Sequence, residues 1–106
     1  MSVDVYGKKA DGTPIMLGYD HPRNLNMNNV NARAVMELLE LPCDEGCYGE
    51  ADIHTVRRAI MKAKALFHRR AVHPSISKAY LTHKLTKLSE TVEVLGGMGA
   101  THIYWA

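Results

Sequence analysis

The sequence has few of the residues and runs from which disulfide frameworks and membrane spans are built. Its 106 residues include two cysteines, one tryptophan and one phenylalanine. Two cysteines are too few for a disulfide framework, and no apolar run approaches the roughly 20 residues of a membrane-spanning helix. Residues 1–12 also lack the apolar stretch of a signal peptide. We therefore expect a cytoplasmic protein with no membrane partner, in which Cys43 and Cys47 are thiols.

Catalytic and cofactor-binding signatures are also missing. The glycine-rich segment 96–100 (GGMGA) lacks the Lys-Ser/Thr pair of a phosphate-binding loop, and no G-x-S-x-G elbow occurs. No pair of carboxylates is placed so that one could act as the general acid and the other as the general base of a reaction. We predict no cofactor, and we expect binding rather than catalysis. Compact chains of this size without a catalytic signature are often accessory interaction proteins, including phage-encoded ones.

The spacing of cysteine and histidine only partly fits a zinc site. Cys43-x3-Cys47 and His68-x4-His73 each have a suitable spacing within the pair, but 20 residues separate the two pairs. The predicted helix between them is about 24 Å long, whereas zinc–ligand bonds are only about 2.0–2.3 Å. We therefore predict no metal site and expect two thiols near a turn.

Acidic residues are absent from residues 53–89, which contain nine Lys/Arg. Residues 1–52 contain four Lys/Arg and nine Asp/Glu, and residues 90–106 contain two Glu and no Lys/Arg. The formal net charge of +2 thus hides a strong segregation of charge along the chain. Such asymmetry favours an anionic partner, or pairing between the acidic and basic halves.

The apolar pattern predicts a single α+β domain over residues 1–106, in the order β-β-α-α-α-β. Apolar and polar residues alternate in 2–6, and after a turn Pro14 begins a return strand over 14–19. A last strand at 101–106 is expected beside this hairpin. The prediction is a three-stranded antiparallel sheet with three helices packed on one face.

Three helices are predicted from apolar residues that recur at steps of three and four. The first runs from about Asn29 to Leu41 and is stopped by a proline. The second runs from Asp52, its N-cap, to about Arg70. The third spans about 75–95 and ends through a glycine C-cap in GGMGA.

The second and third helices carry basic stripes outside their apolar faces, with Tyr80 placed to stack on a base. We predict that these faces bind a polyanionic partner, either a nucleic acid or an acidic protein surface. The alternative is a homo-oligomer, such as a homodimer, in which acidic and basic faces pair. A solvated helix face also carries such charges. The predicted contact residues are Arg57, Arg58, Lys62, Arg69, Arg70, Tyr80, Lys84 and Lys87.

Five asparagines between residues 24 and 31 support a further alternative. Amide side chains both donate and accept hydrogen bonds, so Asn24, Asn26 and Asn28 can line the pocket of a nucleotide-binding protein or small enzyme. Tyr19 or Trp105 would then be the stacking platform. Asparagine also tolerates turns and caps helices, which explains the run without any ligand.

Overall fold

A computed structural model describes residues 2–18, 20–44, 47–67 and 77–106, apart from the side chains of Asn29, Leu66 and Phe67. The described residues form an α+β fold, as predicted, with three helices and an antiparallel sheet. In chain order the elements are β1 (Ser2–Lys8), β2 (Pro14–Ile15), β3 (Asn26–Asn28), α1 (Asn29–Leu38), β4 (Gly49–Asp52), α2 (Ile53–Phe67), α3 (Lys78–Gly97) and β5 (His102–Trp105).

Within the described ranges the sheet has five strands, so the prediction of three strands was wrong. β5 lies between β1 and β4. β3 pairs with the first residues of β1, and β2 pairs with its last residues. β3 (NMN) and β4 (GEAD) consist mostly of residues with low β propensity, so their composition did not predict strands. They are strands because β1 and β5, respectively, pair with them. β2 is also shorter than predicted and ends at Ile15.

One face of the sheet is buried against the helices. Val3 and Val5 of β1 and Ile103 and Trp105 of β5 are almost fully buried in the apolar core. Val5 lies opposite Trp105 in the register, so the predicted place of the last strand beside β1 is confirmed. Because side chains alternate along a strand, the residue between Val3 and Val5 and the residue between Ile103 and Trp105 lie on the other face of the sheet.

α1 ends at Leu38, which is earlier than the predicted end at Leu41. Glu40 has a φ of 56°, and its amide donates to the carbonyl oxygen of Glu37 at 3.0 Å. The amide of Leu41 donates to the carbonyl oxygen of Met36, also at 3.0 Å. These two bonds form a Schellman motif, which satisfies carbonyl groups that the helix end leaves without partners. α1 is therefore ended by these backbone hydrogen bonds, before the chain reaches Pro42.

α2 begins at the predicted N-cap. Asp52 Oδ1 accepts hydrogen bonds from the amides of His54 at 2.8 Å and Thr55 at 3.3 Å. These amides have no partner within the helix, so the carboxylate stabilises its first turn. The same bonds, with that from His54 the largest contribution, hold the pKa of Asp52 below its ordinary value. The predicted end of this helix near Arg70 lies outside the described residues.

Ser77 is the N-cap of α3, and its hydroxyl oxygen accepts from the amide of Tyr80 at 3.1 Å. At its other end Gly96 and Gly97 belong to the helix, and Gly99 takes the left-handed position with a φ of 99°. Met98 is the C-cap residue, and Gly99 follows it as the left-handed glycine that ends the helix, within the predicted GGMGA segment. None of the described helices is both long and apolar enough to cross a membrane.

Candidate functional site

α2 carries three of the predicted contact residues, and two of them bond carboxylates of the same chain. Arg57 Nε donates to Glu93 Oε1 of α3 at 2.9 Å. Lys62 Nζ lies 3.4 Å from Oε2 of Glu40, which follows α1. The third residue, Arg58, has no carboxylate partner among the described residues.

Both of these ion pairs are exposed to solvent. The exposed fractions of the two side chains are 35% and 63% for Arg57 and Glu93, and 67% and 76% for Lys62 and Glu40. Exposed ion pairs contribute only about 0–1 kcal/mol, because water and salt screen the charges. Arg57 and Lys62 can therefore exchange these carboxylates for the groups of an anionic ligand at little cost.

α3 carries Tyr80, Lys84 and Lys87 on one stripe, and neither lysine has an acidic partner within the described part of the chain. Among the described residues, no carboxylate oxygen lies within 4.0 Å of either ammonium group. Lys84 Nζ lies 5.4 Å from the centroid of the Tyr80 ring. Burial of its ammonium group, and then the positive charge of Lys87, lower the pKa of Lys84 below its ordinary value. A bound anion would relieve this repulsion.

The basic stripes of α2 and α3 do not form one continuous surface. Glu93 bonds Arg57, so it marks the side of α3 that faces α2. At 100° per residue, Tyr80, Lys84 and Lys87 lie about 120–180° around α3 from Glu93. The two predicted basic faces are therefore two separate surfaces of the molecule.

The N-termini of α1 and α3 meet beside this stripe of α3. Asn31 Nδ2 donates to the hydroxyl oxygen of Tyr80 at 2.9 Å. Asn28 Oδ1 accepts from the amide of Asn31, and Ser77 caps α3 in the same way. Neither helix has an acidic residue in its first turn, so the partial positive charge of each N-terminus is not cancelled there. Asn28, predicted as a ligand contact, is thus joined to Tyr80 through Asn31.

Of the other two predicted asparagines, Asn26 is part of β3 and Asn24 precedes it. Asn26 Nδ2 donates to Asp4 Oδ1 at 2.7 Å, and Asn24 lines a cleft next to β1. Trp105 is only 1% exposed, so it cannot be the stacking platform that we expected. Tyr19, the alternative platform, lies outside the described residues.

Several predictions concern residues 68–76, which the structure does not describe. Among them are Arg69 and Arg70 of the predicted polyanion contacts, and His68 and His73 of the zinc spacing. Within the described part of the chain, no group of three or more His, Cys, Asp or Glu is placed to hold a metal ion.

Cys43 and Cys47 are free thiols whose side chains interact. Cys47 is fully buried, and Cys43 packs against the core from a partly buried position. Burial, followed by the hydrogen bond with the side chain of Cys43, raises the pKa of Cys47 to about 12. Because the thiolate is the reactive form of cysteine, burial and the raised pKa make Cys47 a poor nucleophile at neutral pH.

A group of side chains that the sequence analysis did not identify lies on the sheet face away from the helices. Tyr6 and Tyr104 are opposite each other in the register, with ring centroids 4.9 Å apart. Lys8 Nζ lies 4.9 Å from the ring centroid of Tyr104 and 2.6 Å from Glu50 Oε1. The sequence did contain one signal for this group: apolar and polar residues alternate in both strands, and both tyrosines fall at polar positions. Their contact additionally requires the register between the first and last strands.

Comparisons with protein-family models, with curated proteins and with solved structures each found no match to this chain. The chemistry of the side chains described above is therefore the ground on which a function can be proposed.

Proposed function

We propose that this protein binds a polyanionic partner, with a nucleic acid favoured over an acidic protein surface, through the basic faces of α2 and α3. The observation that carries the proposal is the pair Lys84 and Lys87. They lie one helical turn apart on α3, Lys84 has its ammonium group over the Tyr80 ring, and neither lysine has a carboxylate partner among the described residues. A phosphate bound between them would replace a repulsive contact with two charge-assisted hydrogen bonds.

Tyr80 favours a nucleic acid over an acidic protein. A tyrosine ring can stack on a base while neighbouring lysines bind the phosphate backbone. The bond from Asn31 fixes the hydroxyl end of this ring, and the two adjoining helix N-termini add partial positive charge. An acidic protein would use the charges of this surface but would have no comparable use for the ring.

The cations of α2 supply a second surface with the same charge. Arg58 is exposed and has no carboxylate partner among the described residues. Arg57 and Lys62 would exchange exposed carboxylates for phosphates. The contacts predicted for Arg69 and Arg70 remain part of the proposal.

Salt dependence of DNA binding tests this proposal. If about five phosphates of duplex DNA are contacted, log affinity should fall with log salt at a slope near −4.5. The double variant Lys84→Gln/Lys87→Gln should make this slope shallower by about 1.8, because two phosphate contacts are lost. Fluorescence anisotropy with a labelled duplex measures both. The matched control, Lys8→Gln/Lys9→Gln, also removes two positive charges, here from the last residue of β1 and the residue after it. It should leave the slope of the wild-type protein unchanged.

The alternatives give different results in the same experiments. Absence of DNA binding at about 50 mM salt, or equal slopes for the two double variants, would contradict the proposal. Binding of polyglutamate without binding of DNA would assign an acidic protein as the partner. The homodimer alternative predicts a mass by light scattering that is doubled at low salt and halves as salt is added.

A further inference from the structure

A cleft of about 240 Å³ opens beside β1, next to the sheet face that the helices do not cover. Its walls combine polar groups with apolar side chains that are partly exposed. Of the described residues that line it, Asp4 is the only charged one. The lining residues are Asp4, Tyr6, Met16, Leu17, Gly18 and Asn24.

The carboxylate of Asp4 is held in a fixed orientation. Oδ1 accepts from Asn26 Nδ2 at 2.7 Å, and Oδ2 accepts from the hydroxyl of Tyr6 at 3.2 Å. The backbone of Asp4 is held as well, since its amide and carbonyl both bond Ala106, at 2.8 and 3.1 Å. An ionised carboxylate offers about four lone-pair sites, so these two side-chain bonds leave acceptor capacity on both oxygens.

No neighbouring cation in the described part of the chain cancels the charge of Asp4. Both of its side-chain donors are neutral, and among the described residues no Lys, Arg or His nitrogen lies within 4.0 Å of it. A fixed anionic acceptor in a cleft with apolar walls attracts a cationic donor and repels phosphate. The cleft therefore has the opposite preference to the stripe of Lys84 and Lys87.

We propose that this cleft binds a guanidinium group. A guanidinium is planar and presents parallel N–H donors that match the two oxygens of a carboxylate, whereas an ammonium group is a point charge. Its weakly hydrated faces suit contact with Met16, Leu17 and the aromatic edge of the cleft. The volume lies below the roughly 300–1,000 Å³ of sites for drug-sized ligands, so it suits the end of one side chain.

A titration followed by ¹⁵N–¹H NMR on the full chain tests this proposal. N-acetyl-arginine methylamide should shift the amide signals of Asp4, Gly18 and Asn24. N-acetyl-citrulline methylamide, which has nearly the same shape without the charge, should shift them little at equal concentration. Asp4→Asn should weaken arginine binding at least about tenfold, because a hydrogen-bonded charge pair is lost.

A second variant keeps the test decisive if Asp4→Asn perturbs β1. Met16 is 62% exposed, so Met16→Lys adds a repelling cation to the cleft without disturbing the core, and it should also weaken arginine binding. The matched control is Met61→Lys on α2, where the methionine is 71% exposed and lines a different cleft, formed by residues of α2 and α3. This control should bind arginine like the wild-type protein.

The source of the guanidinium is distinguished by a third ligand, a short peptide with one central arginine. Tighter binding of the peptide than of the capped amino acid assigns a protein partner, and equal binding assigns a small guanidinium compound. Either result supports the site. Equal shifts with arginine and citrulline, or unchanged arginine affinity in both Asp4→Asn and Met16→Lys, would overturn it. DNA binding by the lysine stripe is unaffected by either outcome.

Discussion

Trp105 and Tyr104 are neighbours in β5, but their side chains lie on opposite faces of the sheet. Trp105 is buried against the helices, and its Nε1 donates to the carbonyl oxygen of Pro42 at 3.0 Å. Tyr104 is only partly buried and contacts Tyr6 and Lys8. The covered face thus contains large apolar groups packed without exposure, whereas the open face contains polar and aromatic groups. We therefore expect stability to depend mainly on the covered face, so that the open face can change with little loss of stability.

The largest effect is expected for Trp105→Ala. It should lower the free energy of unfolding by about 3–5 kcal/mol, because it opens a cavity and leaves the carbonyl of Pro42 without its donor. Urea denaturation followed by circular dichroism measures the change, since the variant loses the only tryptophan. A loss below about 1 kcal/mol would show that the covered face does not dominate stability.

A smaller effect is expected for Tyr104→Ala on the open face. The ring contributes a cross-strand pair with Tyr6, which is worth about 0.2–1 kcal/mol, and its removal opens no cavity in the core. The same denaturation experiment measures the difference, with Tyr104→Phe as the control that keeps the ring. If Tyr104→Ala were as destabilising as Trp105→Ala, the contrast between the faces would be lost.

The smallest effect is expected for Glu50→Gln, and it should depend on pH. The hydrogen bond from Lys8 lowers the pKa of Glu50 below its ordinary value of 4.5, so the unfolded chain takes up the proton first as pH falls. The stabilisation is therefore complete above about pH 4.5 and is lost as pH falls through the lower folded value.

Melting temperatures of the wild-type protein and Glu50→Gln should differ slightly at pH 7 and converge at acid pH. Glu37→Gln is the control, because Glu37 is exposed and forms no ion pair among the described residues. A difference between wild type and Glu50→Gln that grows as the solution is acidified would contradict the assigned role of this pair.

The parts of the fold that the sequence predicted are those in which local pattern and tertiary packing agree. β1, β5 and the three helices have clear apolar periods, and Asp52 is a cap that needs only its own helix. β3 and β4 have no such pattern, since pairing with β1 and β5 makes them strands. The fold class could therefore be predicted, and the number of strands could not.

Part of the candidate site could likewise be predicted from the sequence, and part of it could not. The lysines of α3 could be predicted as a stripe, because helical spacing alone puts them together. The bond between Arg57 and Glu93 spans 36 residues, and that between Lys62 and Glu40 spans 22, so only the fold shows which cations have partners. The cleft at Asp4 likewise needs strand register, because β3 brings Asn26 to it.

The central position of β5 also determines when the sheet can assemble during synthesis. The amide of Thr101 donates to the carbonyl of Lys8 across 93 residues, and β4 reaches β1 only through β5. A nascent chain on the ribosome therefore lacks the common neighbour of these two strands until β5 has emerged. In that interval the apolar side of β1 is incompletely covered, which is the kind of surface that chaperones bind. Pairing between such distant segments also makes folding slow relative to that of helical proteins of this size.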